Sequence, residues 1–146
     1  MSRNQLKSIA FWTTTIFGPT SFVIGGVIGL SGSPDAVAGL QHLGYPAYFG
    51  VLLGAWKLAG AITITVPGLP RLKEWAYAGF VFDLTAAAIS HVALGDAAAD
   101  VLAPLGFLAL VLASWALRPE SRKLTAPAAA PARGAAAPPE AMPAAA

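Results

Sequence analysis

The stretch that decides the fold is residues 46–94, PAYFGVLLGAWKLAGAITITVPGLPRLKEWAYAGFVFDLTAAAISHVAL. Two apolar segments, 46–66 and 75–94, lie on either side of the turn sequence PGLP at 67–70. Each segment has the length of about 20 residues that an α-helix needs to cross a hydrocarbon core about 30 Å thick. Proline and glycine prevent the first helix from continuing through the turn. The stretch therefore predicts two antiparallel transmembrane helices joined by a tight turn.

Two further apolar segments, at about 8–30 and 101–117, complete a set of four. Pro19 is expected to kink the first of them, because proline removes a backbone donor from a helix. Asp100 is expected to cap the last helix, with Pro104 in its first turn, where proline is tolerated. The sequence thus predicts an all-α fold, a four-helix transmembrane bundle formed by residues 1–117.

The overall composition excludes a soluble globular domain. Apolar residues make up 56% of the 146 residues and charged residues only 11%, whereas a soluble domain has about 25% charged residues. The chain has no cysteine, which excludes disulfides, thiolate metal sites and thiol relays. Residues 118–146 contain 12 alanines and 6 prolines without apolar periodicity, so we predict a disordered cytoplasmic tail there.

The basic residues predict the orientation of the bundle. With four spans, the N-terminus, the 67–74 turn and the C-terminal tail share one side, and eight of the nine lysines and arginines lie in these regions. The positive-inside rule then places both termini in the cytoplasm of a bacterial inner membrane. The basic segment Pro70–Trp75 is expected to contact lipid headgroups there.

Two pairs of glycines have the spacing of close helix contacts. Gly25 and Gly29 lie four residues apart, as do Gly50 and Gly54. Small residues at this spacing allow membrane helices to approach closely. Within a four-helix chain we expect them to serve internal packing rather than dimerisation.

Lys57 and Asp83 are the main candidates for a functional site. Lys57 is nine residues before the end of its span and Asp83 eight residues after the start of the next, so both lie near the membrane midplane. Each shares a helix face with small residues; Ser90 lies on the Asp83 face. We expect the two charges to point into the bundle and to meet. Such a pair is either structural or a proton or ligand site, since ionisable groups inside membranes are costly and usually functional.

Two histidines are predicted at the opposite, outward end of the bundle. His91 lies two turns beyond Asp83, near the outer end of the third span. His42 lies on a short helix predicted between Ser33 and Gly44, at the membrane surface. Three interpretations remain open: hydrogen-bonded interface residues, a polar ligand or proton-entry site, and a metal or haem site. The last is disfavoured, because the histidines lack a metal-binding spacing and both would approach a haem from one side.

Several segments resemble the DoxX-like family of small bacterial membrane proteins. The resemblance covers about residues 8–118, and its most specific part is 67–79, PGLPRLKEWAYAG. It implies a four-helix membrane protein, and related members are linked to thiosulfate–quinone oxidoreduction and to redox complexes that answer oxidative stress. No catalytic motif transfers residue by residue, and the absence of cysteine argues against a sulfur relay.

Three functional hypotheses follow. The first is a membrane subunit or accessory of a redox system, with a quinone held near Lys57 and Asp83. The second is a small proton-coupled transporter built around the same pair, and the third is a non-catalytic scaffold. Expected partners are the lipid bilayer and either redox subunits or further copies of the chain. No motif for nucleic acid is present, and the residues do not favour haem or a metal ion.

Overall fold

Residues 2–124 are described by a computed structural model. They form six α-helices, and this part of the chain contains no strand. The helices are α1 (Arg3–Phe17), α2 (Phe22–Ser31), α3 (Pro34–His42), α4 (Ala47–Thr65), α5 (Pro70–Leu94) and α6 (Ala98–Leu117). Short 3₁₀ turns occupy Pro19–Ser21 and Glu120–Arg122.

Within residues 2–124, four helical segments are long and apolar enough to cross a membrane. The first, Arg3–Ser31, comprises α1, the 3₁₀ turn and α2; the others are α4, α5 and α6. Many large apolar side chains on these helices are exposed, as a bilayer requires. The predicted all-α fold with four spans is confirmed.

Three of the four spans begin earlier than the apolar segments indicated. α5 starts at Pro70, which takes the first helical position, and not at Trp75. α6 starts at Ala98, so Pro104 lies inside the helix instead of in its first turn. Asp100 does not cap α6, because the cap residue is Ala97. Hydropathy marks where a segment becomes apolar. It therefore missed these first turns, which contain polar residues but are already helical.

The first span breaks where Pro19 predicted a kink. α1 ends at Phe17, Pro19 starts the 3₁₀ turn, and the chain resumes as α2 at Phe22. The break allows one span to contact two neighbours: α1 packs against α6, whereas α2 packs against α4. With α4 on α5 and α5 on α6, the four spans close into a ring. The core residues are Ala61, Ile64, Tyr77, Phe80, Leu84 and Val111.

Glycines bring α2 and α4 into backbone contact. A Cβ atom added to Gly54 would lie 2.7 Å from the carbonyl oxygen of Gly26, and one added to Gly29 would lie 2.8 Å from that of Gly50. The expected internal role holds for Gly29, Gly50 and Gly54. It does not hold for Gly25, where an added Cβ would meet nothing within 4 Å. Gly26, its neighbour, provides the contact instead.

The short helix α3 forms as the sequence predicted. The Ser33 hydroxyl accepts a hydrogen bond from the Ala36 N–H at 3.4 Å, and Pro34 takes the first helical position. α3 packs against α4. We call this end of the bundle, which also holds the α5–α6 turn, the α3 end; the opposite end, with residues 67–70, is the turn end.

Residues 118–124 depart from the predicted disordered tail. They fold back across the turn end, with a 3₁₀ turn at Glu120–Arg122. Arg122 Nη1 donates to the carbonyl oxygens of Ile64 at 2.9 Å and of Thr65 at 3.2 Å. These carbonyls lack partners within α4 because the helix ends there. The rest of the predicted tail, residues 125–146, lies outside the described residues.

Candidate functional site

The side chains of Lys57 and Asp83 meet between α4 and α5. Lys57 Nζ lies 3.3 Å from Asp83 Oδ2, and the side chains are 22% and 16% exposed. The contact agrees with the shared depth that the sequence predicted. Lys57 Nζ also lies 5.5 Å from the ring centroid of Phe22 in α2, close enough for a cation–π attraction.

The pair lies on the wall of a groove, not in the centre of the bundle as expected. The interior near this depth is filled by aromatic rings: Phe22 packs against Phe80 with centroids 4.8 Å apart and against Phe107 at 5.5 Å. The charged ends therefore emerge between α4 and α5. The spacing along the chain predicted the depth of the pair in the membrane. It did not predict that the two side chains point into the groove between α4 and α5.

The α4–α5 groove has a volume of about 520 Å³ and is open on one side. Trp56 and Trp75, both largely exposed, form part of its walls. Lys57, Asp83 and Thr63 are the polar residues among those that line it; the others are Phe49, Leu52, Leu53, Trp56, Ala59, Gly60, Leu72, Trp75, Ala76, Gly79 and Phe80. The groove is thus apolar, with one charged pair.

Part of the hydrogen-bonding capacity of the pair is left free by the described residues. Within residues 2–124, no other side chain or backbone group donates to the Asp83 carboxylate or accepts from the Lys57 ammonium. An ammonium has three donors and a carboxylate has two acceptor oxygens. Both side chains remain partly exposed, at 22% and 16%, so their free donors and acceptors can be reached from the groove. The pair can therefore bind a ligand that has both a hydrogen-bond acceptor, for Lys57, and a hydrogen-bond donor, for Asp83.

The histidines form a separate cluster at the α3 end. His91 Nδ1 lies 2.7 Å from Asp96 Oδ2, and His42 Nε2 lies 2.8 Å from Asp96 Oδ1. An ionised carboxylate only accepts, so each imidazole donates an N–H to it. These bonds, that of His91 first, hold the pKa of the Asp96 carboxyl below its ordinary value. The cluster joins α3 to α5, as interface histidines would.

Ser90 joins neither the ion pair nor the histidine cluster. Its Oγ lies 3.1 Å from the hydroxyl of Tyr45, which precedes α4. The Tyr45 ring stacks on Phe49, with centroids 4.9 Å apart, and Phe49 lines the groove. Ser90 therefore holds the wall at the α3 end of the groove.

The sequence model of the DoxX-like family matches residues 13–114, which is more than half of the chain. The chain belongs to the DoxX-like family. Comparison with curated proteins and with solved structures finds no match. The matched range includes every candidate residue named above, and it ends before Arg118 and Arg122.

In this DoxX-like protein, Lys73 does not face lipid headgroups as expected for the 70–75 segment. Its side chain is only 1% exposed, and its ammonium donates to the carbonyl oxygens of Thr63 and Val66 at the end of α4. A cation at a helix C-terminus is favourable because the carbonyl dipoles point toward it. The signal was present in the sequence, since Lys73 follows the end of α4 across a tight turn.

Arg118 belongs to a second unpredicted cluster at the turn end of this DoxX-like protein. Its Nη1 lies 2.7 Å from Glu74 Oε1, and the Trp115 indole donates to Glu74 Oε2 at 2.9 Å. The guanidinium lies between the rings of Tyr77 and Trp115, 5.0 and 5.2 Å from their centroids. The cluster fixes α6 against α5.

A chain of hydroxyl groups crosses the core of the DoxX-like bundle. Tyr77 Oη lies 2.8 Å from Ser114 Oγ, which lies 2.7 Å from Thr15 Oγ1. The Thr15 hydroxyl also bonds the Phe11 carbonyl at 2.7 Å. All three side chains are buried, and their hydrogen bonds join α5, α6 and α1. Sequence reasoning missed the chain, because hydroxyl residues are common on membrane helices and only packing brings these three together.

Proposed function

We propose that this DoxX-like protein binds a quinone-like molecule in the α4–α5 groove, as a membrane subunit or accessory of a redox system. The observation that supports this most is the partly exposed Lys57–Asp83 ion pair on the wall of an apolar groove of about 520 Å³. Ligand sites for small molecules have volumes of about 300–1,000 Å³ and combine apolar walls with a few polar groups. A quinone headgroup has both the size and the polarity for such a site.

The two charged side chains supply complementary chemistry. The Lys57 ammonium can donate a hydrogen bond to a quinone oxygen, which favours negative charge on that oxygen. The Asp83 carboxyl can hold a proton and transfer it to the same headgroup. Electrons reach the quinone from a redox partner subunit, the partner that this function requires.

Quinone that copurifies with the protein tests this proposal. We expect mild-detergent preparations of the full chain to contain quinone, detected by mass spectrometry and ultraviolet absorbance. A double variant, Lys57→Met with Asp83→Leu, should lose most of it. The Gly106→Leu variant is a matched control, because Gly106 is exposed on α6 and an added Cβ meets nothing there.

Other results would contradict the redox function. Proton-dependent solute uptake into liposomes, without bound quinone, would indicate the transporter. Neither quinone nor uptake, with a stable complex of defined subunits, would indicate the scaffold.

We further propose that the protein lies in the bacterial inner membrane with both termini in the cytoplasm. Six of the basic residues at the turn end and near the N-terminus support this orientation; they are Arg3, Lys7, Arg71, Arg118, Arg122 and Lys123. The α3 end has Asp35, Asp96 and Asp100 but no lysine or arginine.

Cysteine labelling tests the orientation without background, because the chain has no cysteine. Ala38→Cys and Ala97→Cys should react with an impermeant maleimide added to intact spheroplasts. Leu72→Cys and Glu120→Cys should react only after lysis. The reverse pattern would show that the orientation is inverted.

A further inference from the structure

The α4–α5 groove extends from the ion pair toward the turn end along both helices, and along α4 it also extends toward the α3 end. On α5 its lining residues run from Leu72 to Asp83, so Asp83 stands at one limit, whereas on α4 they run from Phe49 to Thr63, on both sides of Lys57. Eleven residues of helix correspond to about 16 Å. A headgroup held by Lys57 and Asp83 therefore leaves a long apolar section of the groove beside it.

Small residues create this section. Ala76 and Gly79 line it on α5, and Ala59 and Gly60 on α4. Gly79 precedes Asp83 by four residues, so it lies one turn away on the same helix face. A side chain at position 79 would enter the groove directly beside the charged pair.

The fold itself does not require glycine at position 79. A Cβ atom added there would meet nothing within 4 Å, and the backbone is helical. By contrast, a Cβ added to Gly60 would lie 3.0 Å from the Phe80 ring, and one on Gly54 would strike backbone atoms. Glycine inside a helix is less stable than alanine. Glycine at position 79 therefore lowers the stability of α5. What the missing side chain provides is free space in the groove.

We propose that Gly79 is a specificity-determining residue that admits an apolar tail. This rests on the proposed function. The ligand is an amphipathic, lipid-soluble molecule whose headgroup meets Lys57 and Asp83. Its alkyl or isoprenoid tail runs past Gly79 toward Leu72 and Trp75. The open side of the groove allows such a ligand to enter from the bilayer.

The positions of the two charges determine the orientation of the ligand in the groove. An apolar tail against the ion pair would leave both charges without new partners in a low-dielectric site. A headgroup in the distant section would meet only apolar walls and Thr63. With the headgroup at Asp83 and the tail toward the turn end, the charged pair contacts polar atoms and the apolar walls contact the tail.

Two probes that differ only in the tail test this proposal: decyl-ubiquinone and the tailless ubiquinone headgroup. The full chain in nanodiscs is titrated with each, and saturable quenching of tryptophan emission gives the affinity, since Trp56 and Trp75 lie on the groove. We expect Gly79→Leu to weaken decyl-ubiquinone binding about tenfold and to change headgroup binding less than about twofold. Gly106→Leu should change neither affinity.

The outcomes separate this inference from the proposed function. Equal loss of both probes in Gly79→Leu, or loss of neither, would overturn the role of Gly79 while quinone binding stands. Unfolding of Gly79→Leu, followed by thermal melting, would show that the glycine is structural and would also overturn it. If the unmodified chain binds neither probe, both the inference and the proposed function fail.

Discussion

Replacing Gly54 with leucine is expected to prevent the bundle from folding. A Cβ atom at this position would lie 2.7 Å from the Gly26 carbonyl oxygen, 2.9 Å from the Leu30 nitrogen and 3.1 Å from the Gly29 carbonyl carbon. All three are backbone atoms of α2, which cannot move aside as a side chain can. Even alanine should lower the free energy of unfolding by about 1–3 kcal/mol, the usual cost of overpacking.

The measurement is the yield of monodisperse protein in detergent, with the melting temperature of whatever folds. Gly25→Leu is the control, because Gly25 lies on α2, the helix that Gly54 contacts, and its added Cβ meets nothing within 4 Å. We expect Gly25→Leu to fold normally and Gly54→Leu to aggregate. Normal folding of Gly54→Leu would mean that α2 and α4 do not touch at this crossing.

Removing one member of the Lys57–Asp83 pair should strongly destabilise the protein. Lys57→Met leaves the Asp83 charge alone in a largely apolar groove, and Asp83→Leu does the same to Lys57. A stranded buried charge costs roughly 3–5 kcal/mol, and water entering the open groove relieves part of this penalty. The double variant should be less destabilised than the sum of the single variants, because no charge remains unpaired.

Thermal melting of the four proteins in one detergent gives the coupling between the two sites. The exposed pair Lys123–Glu120, with Nζ 2.6 Å from Oε1, is the control. Breaking such an exposed pair should change stability by no more than about 1 kcal/mol. Strictly additive effects at Lys57 and Asp83 would show that these side chains do not interact in the membrane. A stable double variant that still binds quinone would make the pair purely structural.

The sequence was sufficient to predict the spans and the depth of each charge. Hydropathy depends on single residues, and turns such as 67–70 are marked by proline and glycine, so both can be read along the chain. Depth follows from the rise of the helix, which is why the Lys57–Asp83 contact was predicted correctly. The site role of these residues, and of Ser90, His91 and His42, remains a prediction.

The direction in which a side chain points around its helix was less predictable than its depth in the membrane. The groove depends on where Phe22 and Phe80 place their rings, and the contact of α2 with α4 uses Gly26 where the spacing favoured Gly25. Both depend on how helices rotate as they pack, which the pattern of small residues does not specify. Lys73 and Arg118 were missed for a related reason: their partners are carbonyls and rings at the ends of other helices.

The hydroxyl chain in the core has a consequence for synthesis of the protein. Thr15 and Ser114 are 99 positions apart, so the ribosome has translated nearly the whole bundle before their bond can form. Until then the Thr15 hydroxyl is satisfied by its own helix, at Phe11. Within the described residues, the Tyr77 hydroxyl bonds Ser114 on α6 and no group of its own helix. A nascent chain that stops before α6 lacks Ser114, so insertion of the last helix both closes the ring and supplies the partner of the Tyr77 hydroxyl.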